Sequence, residues 1–493
     1  MKLSEHQQSK QQSILSQARQ VSKQGPFQPE WDSLKQFQVP EWYERAKFGI
    51  FIHWGLFAVP AFNNEWYSRN MYQEGTPEWK HHAETFGPHT EFGYKDFIPM
   101  FQAEKFDADQ WTDLFVKSGA RYVIPVAEHH DGFQMYGSEL SEWNAVQMGP
   151  RKDIIAELGA AARARGLKFG VSSHRAEHWW FFDGGRKFPS DVQDPAFESF
   201  YGPAAEGPED HHDPSLAPPD AAYLDDWLAR TCELADKYAP DIVYFDWWIQ
   251  QHAFEPYLQQ FASYYYNLSA ERNQPVAINY KYKSFPEGTA IYDVERGQLK
   301  GIREPFWQTD TAVSYNSWCY VKEQHYKPVE DIVSDLVDIV SKNGSLLLNI
   351  GPKADGTLPD EEIAMLETIG EWLSLNGEAI YDSKHWTIYG EGPTDVPEGA
   401  FSDGKRDKFT HRDIRFTVKD NVLYAITLRN PGAEDIVIES LGEAAGLYKE
   451  SIARIDRLGW EGEVQWVRGQ EALTIRGVET EGVLPVVFRI TQA

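Results

Sequence analysis

Residues 151–174, RKDIIAELGAAARARGLKFGVSSH, place a helix and a strand in direct succession. The first part, 151–166, reads as a helix closed by Gly166, and the rest, 167–174, as a strand. The same unit recurs in both directions. Upstream stand a strand at 47–54 (KFGIFIHW), an amphipathic helix at 106–120 and a strand at 121–130 (RYVIPVAEHH). Downstream come a helix at 221–239, the strand-like DIVYFDWWIQ at 241–250, a helix at 254–271 and a strand at 275–281. AIYDVE (290–295) and TAVSYNSW (311–318) read as strands with no convincing helix between them, before a helix at 328–344, a buried strand at 345–352 and a helix at 359–377. Strands bounded by amphipathic helices imply parallel pairing, because each crossover covers a face of the sheet. About eight such strands in roughly 350 residues predict an α/β fold of (β/α)8 TIM-barrel type with loop insertions; a doubly wound open sheet is the runner-up.

Beyond about residue 385 the rhythm changes to short strands without long helices (RDIRFTVKD, NVLYAITLR, EDIVIES, ALTIRGV, LPVVFRIT), which predicts a C-terminal antiparallel β-sandwich. The expected organisation is a tail or loosely docked helix at 1–30, the barrel at 31–385 and the sandwich at 386–493. The Pro-rich, charged stretch at 390–408 reads as a loop within or bordering the sandwich, whose role is to brace the barrel or to bind carbohydrate.

The chain has 493 residues and a formal net charge of -28, which argues against nucleic acid, since phosphate binding needs clustered Lys and Arg. No apolar run reaches membrane-span length, so no membrane partner is expected. The N-terminus lacks the apolar core of a secretory signal and reads as cytoplasmic, secretion with a removed signal being the alternative. Cys232 and Cys319 fit no redox or zinc spacing and read as reduced packing residues. With 18 Trp, 24 Tyr and 28 Phe the chain is rich in aromatic faces, which suit the C–H patches of sugars.

Catalytic groups of such barrels project from the C-terminal ends of strands. Those ends carry His53 and Trp54; Glu128, His129, His130 and Asp131; His174, Arg175 and Glu177; Asp246, Trp247 and Trp248; then Lys281, Asp293, Glu295 and Arg296. Asp246, after IVYF and before two tryptophans, would be costly to bury without partners. Two chemistries fit. Metal-assisted hydrolysis would use His and carboxylate ligands, although FIHWG offers one histidine where barrel metal sites commonly have a His-x-His pair. Glycoside hydrolysis needs two carboxylates flanking the bond, and the aromatic content favours it. A sugar-binding barrel without catalysis is the rival from another class.

Four segments, AKFGIFIHWGLFAVPAFNNEWYSRNM, RYVIPVAEHHDGFQMYGSELSEWNAV, GPRKDIIAELGAAARARGLKFGVSSH and SKNGSLLLNIGPKADGTLPDEEIAMLETIGEWLSLNGEAIY, closely resemble the α-L-fucosidases of glycoside hydrolase family 29. The likeness covers about residues 40 to 390. It implies a barrel with a C-terminal sandwich, no metal or cofactor, a fucosylated oligosaccharide or glycoconjugate as substrate, and an exo-acting retaining mechanism. By that resemblance Asp246 is the nucleophile, and His53, Glu65, Trp66, His129 and His130 hold fucose. His174 stands where many members have tyrosine, and Trp247 where many have glycine.

Glu295, directly after AIYDV, is expected as the acid/base, with Glu304 as the alternative. Arg296 joins the expected sugar-binding residues. Trp307 does too, with Trp66, Trp247 and Trp248, as a candidate apolar surface for the C5 methyl. A retaining pair should stand about 5–5.5 Å apart. His or Arg donors should keep Asp246 ionised and an apolar lining should protonate Glu295, while His53, His129 and His130 act as neutral donors. The insertions at 75–94 and 182–220 are expected at the rim of the mouth or in a subunit interface, and the sequence leaves linkage preference and oligomeric state open.

Overall fold

The computed structural model describes residues 3–208, 210, 218–477 and 481–493. Eight parallel strands close a barrel in chain order: β1 (Phe48–Ile52), β2 (Tyr122–Glu128), β3 (Lys168–Ser173), β4 (Ile242–Phe245), β5 (Ala277–Lys281), β6 (Ile291–Asp293), β7 (Trp307–Ala312) and β8 (Gly344–Ile350), which pairs back onto β1. The crossover helices Ala108–Lys117, Ile154–Ala164 and Ala221–Tyr238 start where Asp107, Asp153 and Asp220 accept the backbone N–H three residues on. Gly166, at φ 76°, lets the chain leave its helix and enter β3.

The seventh strand differs from expectation. It runs Trp307–Ala312, while most of TAVSYNSW forms the loop after it. Gln308 and Asp310 make this strand look polar, yet both are buried with hydrogen-bond partners inside the barrel. The Tyr122 hydroxyl donates to Gln308 at 2.9 Å, the Tyr43 hydroxyl also bonds Gln308, and Lys281 donates to Asp310. A strand whose polar residues are satisfied internally does not show the apolar run by which buried strands are read.

The C-terminal strands are β9 (Lys384–Glu391), β10 (Ile414–Lys419), β11 (Val422–Thr427), β12 (Ile436–Ile438), β13 (Ile452–Arg457), β14 (Trp466–Arg468), β15 (Leu473–Ile475) and β16 (Val486–Gln492). They form a five-stranded antiparallel sheet, β13-β16-β11-β10-β9, and a three-stranded one, β12-β15-β14. Ile414, Phe416, Leu423 and Phe488 from the first share one apolar core with Ile436, Ile438, Leu473 and Ile475 from the second. The barrel helix Val329–Ser341 turns Asp331, Asp335 and Asp338 toward this region, where Arg429, Arg406 and Arg415 pair with them in that order.

The N-terminal helix Glu5–Gln24 starts with a reciprocal Ser4–Gln7 capping box and buries Ile14, Leu15 and Ala18 against the helices Ala221–Tyr238 and Glu255–Arg272. Cys232 and Cys319 are both free thiols and buried. Among the described residues, no helix is long and apolar enough to cross a membrane.

Candidate active site

A cavity of about 320 Å³ opens at the C-terminal ends of the barrel strands. Asp246, one residue beyond β4, lies in its wall with Glu295, two residues beyond β6. His53, Glu65, Trp66, His129, His130 and His174 line the same space. Eight of the ten residues expected from sequence therefore meet in one pocket.

The two acids have opposite environments. His174 Nδ1 stands 3.0 Å and His130 Nε2 3.4 Å from Asp246 Oδ2. Burial alone would raise the Asp246 carboxyl, but His174, His130 and the more distant Lys281 outweigh it and hold it well below the usual carboxylate range. Glu295 is pushed up to about 7 by burial and by the nearby Asp246 charge, against the pull of Lys281, whose Nζ is 3.4 Å away. The Trp247 indole N–H donates to Glu295.

His130 departs from the neutral role expected for it. Burial pushes its imidazole down, but Glu177 and Asp246 override this and raise it to about 9, so it carries charge at neutral pH. Its Nδ1 donates to the His174 carbonyl at 2.9 Å and lies 3.4 Å from Glu177. His174 places Nε2 2.7 Å from the Ser172 hydroxyl, so both of its ring nitrogens are taken up by Ser172 and Asp246. These two histidines serve the carboxylate first. Burial holds His53 and His129 well below the ordinary imidazole value, hence neutral. Asn349 Oδ1 accepts from His53 Nδ1 at 2.6 Å and from the His53 backbone N–H, which leaves Nε2 as an acceptor.

Ligand-capable nitrogens of His53, His129 and His174 lie within 4.8 Å of one another, a spacing able to hold a metal ion. Glu65 accepts the Trp318 backbone N–H at 3.0 Å, and burial raises its carboxyl.

Beneath Glu295 lies a crowded charge network. Lys281 Nζ donates to both Asp310 oxygens at 2.9 Å and sits 3.1 Å from Asp293. One ammonium cannot balance three buried carboxyls. Burial and Asp310 keep Asp293 well above its ordinary value, and the Tyr244 hydroxyl donates to Asp310 at 2.8 Å.

Three expectations are corrected. Trp307 opens β7 and so lies at the opposite end of the barrel, fully buried, its indole N–H donating to the Lys342 carbonyl at 2.9 Å. The seventh strand begins four residues earlier than the sequence suggested, which takes Trp307 out of the loop after Glu295 and into β7. Arg296 stands behind the wall, its guanidinium 4.5 Å from the Trp318 ring and donating to the Ser314 carbonyl. Glu304 also lies away from the mouth, bonded to His385 at 2.8 Å with 68% of its side chain exposed. Of the other apolar candidates, Trp247 lines the cavity while Trp248 is buried against Trp180.

Residues missed from the sequence are Glu177, Trp318, Asp310, Phe51 and Phe401, all in the cavity wall. Glu177 was visible at a strand end; Trp318 sat inside the misplaced strand. The insertions at 75–94 and 182–220 pack on each other, through Trp79 and His89 on Phe188, and are not among the cavity residues; 209 and 211–217 of the second lie outside the described residues.

A barrel mouth that holds one carboxyl well below its ordinary value and another raised to about 7 is an arrangement glycoside hydrolases use. The sequence model described as alpha-L-fucosidase matches residues 14–378. The tissue alpha-L-fucosidase of Homo sapiens is 30% identical over 465 residues, covering 92% of this chain and 88% of the relative. The plasma alpha-L-fucosidase of Homo sapiens is 33% identical over 394 residues, 78% of each. The crystal structure of Thermotoga maritima alpha-fucosidase in complex with fucose superposes with a TM-score of 0.73 at 31% identity, covering 94% of this chain and 99% of that one. The chain belongs to the alpha-L-fucosidase family.

Proposed function

We propose that this enzyme is an exo-acting, retaining α-L-fucosidase that removes terminal α-L-fucosyl residues from oligosaccharides or glycoconjugates. One observation carries the reading: Asp246 and Glu295 share one cavity, the first held ionised and the second raised to about 7. The cavity volume is at the small end of the roughly 300–1,000 Å³ range of ligand pockets, which suits one terminal sugar. Phe51, Trp66 and Trp318 offer apolar faces to a deoxy sugar, and His53, His129 and Glu65 offer polar atoms to its hydroxyls.

In the first step an Asp246 oxygen bonds to the anomeric carbon while the bond to the leaving oxygen breaks and Glu295 gives that oxygen its proton. The product is a glycosyl ester on Asp246. Esterification removes the Asp246 charge that helped to raise Glu295, leaving Lys281 to draw its carboxyl down. Glu295 is then the base that takes a proton from water as the water oxygen attacks the anomeric carbon and releases Asp246.

The test is Asp246→Gly assayed on an aryl α-L-fucoside with and without azide. Loss of turnover with recovery as a fucosyl azide of inverted configuration is expected; undiminished activity would reject the assignment.

Glu177 supports a second reading of the acid, because burial raises it to about 7 in the same wall. Its 3.4 Å approach to charged His130 favours a supporting role instead. Comparing Glu177→Gln with Glu295→Gln on poor and activated leaving groups separates the two.

A further inference from the structure

The loop between β9 and β10 leaves the C-terminal sheet and returns to the barrel mouth. There it lies along the segment that carries Glu295. The Phe401 N–H donates to the Glu295 carbonyl at 2.8 Å, and the Ser402 and Asp403 N–H groups donate to the Arg296 carbonyl at 2.8 and 2.9 Å. On the other side of this contact the Gly399 N–H donates to the Gln298 carbonyl at 3.0 Å. The backbones approach so closely that a Cβ at Gly297 would stand 2.5 Å from the Gly399 oxygen. Asp403 locks the loop from below, accepting from Lys327 Nζ and Thr311 Oγ1, each at 2.6 Å.

What this clamp presents is one aromatic side chain. Phe401 lines the cavity, is 47% exposed, and has φ of 54°, a left-handed conformation costly for a residue with a Cβ. A half-exposed phenyl ring on a strained, tightly held backbone contributes little to the core. Strain of this kind concentrates at ligand-holding sites.

We infer that Phe401 is a binding platform for the leaving group, taking a pyranose ring by its C–H face or an aryl group by stacking. This rests on the fucosidase reading above and deepens it. Glu295 must reach the departing oxygen, so whatever that oxygen carries lies on the Glu295 side of the cavity. Phe401, held through the main chain of Glu295 itself, offers an apolar face there, with Trp247 in the same wall. The platform belongs to the chain beyond the barrel, so that segment takes part in choosing which fucosides are cleaved.

The experiment compares wild type, Phe401→Ala and Phe401→Trp on α-L-fucosyl fluoride, which has no extended leaving group, and on 4-nitrophenyl α-L-fucoside and a set of fucosyl disaccharides. Expected for Phe401→Ala is a fall of about 10-fold in the kcat/KM ratio of disaccharide or aryl fucoside to fluoride, carried chiefly by KM, with the ratio restored in Phe401→Trp. An unchanged ratio would overturn the inference, whether all substrates decline together or none does. Wild type inactive on every fucoside would bring down the fucosidase reading and this inference with it; activity without the change in ratio removes the inference alone.

Discussion

Glu128 and His129 are neighbours in the chain, as are His174 and Arg175, yet the members of each pair serve different regions. His129 and His174 line the cavity. Glu128 and Arg175 are buried with Asp226 and Arg230 in a closed ring of four contacts: Arg175 to Glu128 at 2.8 Å and to Asp226 at 3.0 Å, Arg230 to Glu128 at 3.1 Å and to Asp226 at 2.8 Å. Two cations there meet two anions. In the mouth, Asp246, Glu177, Glu295, Asp293 and Asp310 share His130 and Lys281. Buried carboxyls in such excess cannot all ionise, so some keep their protons at neutral pH. Charge balance produces a fixed brace, and imbalance produces groups able to exchange protons.

The hardest blow to this contrast falls on Asp246. Asp246→Gly should lower kcat on an aryl fucoside by about 10⁴-fold or more, with azide restoring turnover. A variant retaining most of its activity would break the distinction between the two regions.

Arg230→Leu should act on the other region, leaving buried Glu128 and Asp226 short of a partner. A loss on the order of 3–5 kcal/mol in unfolding free energy is expected from denaturant titration. A midpoint like that of wild type would show that the ring does not brace the fold.

Glu295→Gln should reduce kcat/KM on poor leaving groups by about 10²–10³-fold while sparing activated ones. In wild type, kcat/KM should decline as pH rises through about 7, where Glu295 loses its proton. Lys281→Met should move that limb to higher pH, because the ammonium lowers the Glu295 carboxyl.

The same residue predicts a stability effect of the opposite sign to Arg230. Its folded value lies above the ordinary 4.5, so its contribution is fully present below pH 4.5 and lost as pH rises through about 7. Glu295→Gln should then raise unfolding free energy at pH 8–9 by on the order of 1–3 kcal/mol relative to wild type. No gain would mean that burial of Glu295 is not under charge strain.

The smallest effect expected is none. Dialysis against a chelator, followed by metal analysis and assay, should leave activity unchanged; an equivalent of divalent ion lost along with turnover would reassign His53, His129 and His174 as ligands.

Much of the barrel was legible because β1, β2, β4 and β8 are largely apolar runs set between helices, three of which open on a capping aspartate. β7 was not, since Gln308 and Asp310 are satisfied by partners inside the barrel, so Trp307 read as a loop residue and not as the first residue of a strand. Within the mouth, Asp246 and Glu295 were readable from their places just beyond strands. Whether Glu128 or His129 faces the cavity depends on the direction of each residue at the strand tip. Phe401 had no sequence signal: its own place at the mouth is fixed by a backbone N–H bond to the Glu295 carbonyl that almost any residue type could make.

The three aspartates of the helix Val329–Ser341 follow one another at intervals of four and three, so they share a face, and each is held by a different arginine from the C-terminal part of the chain. They act as a keyed coupling. A chimaera that joined this barrel to a relative's C-terminal part would leave Asp331 and Asp335 without their arginines, and Asp338 with Lys342 alone, unless the donor brought matching guanidinium groups. The two parts are therefore expected to have diverged as a unit.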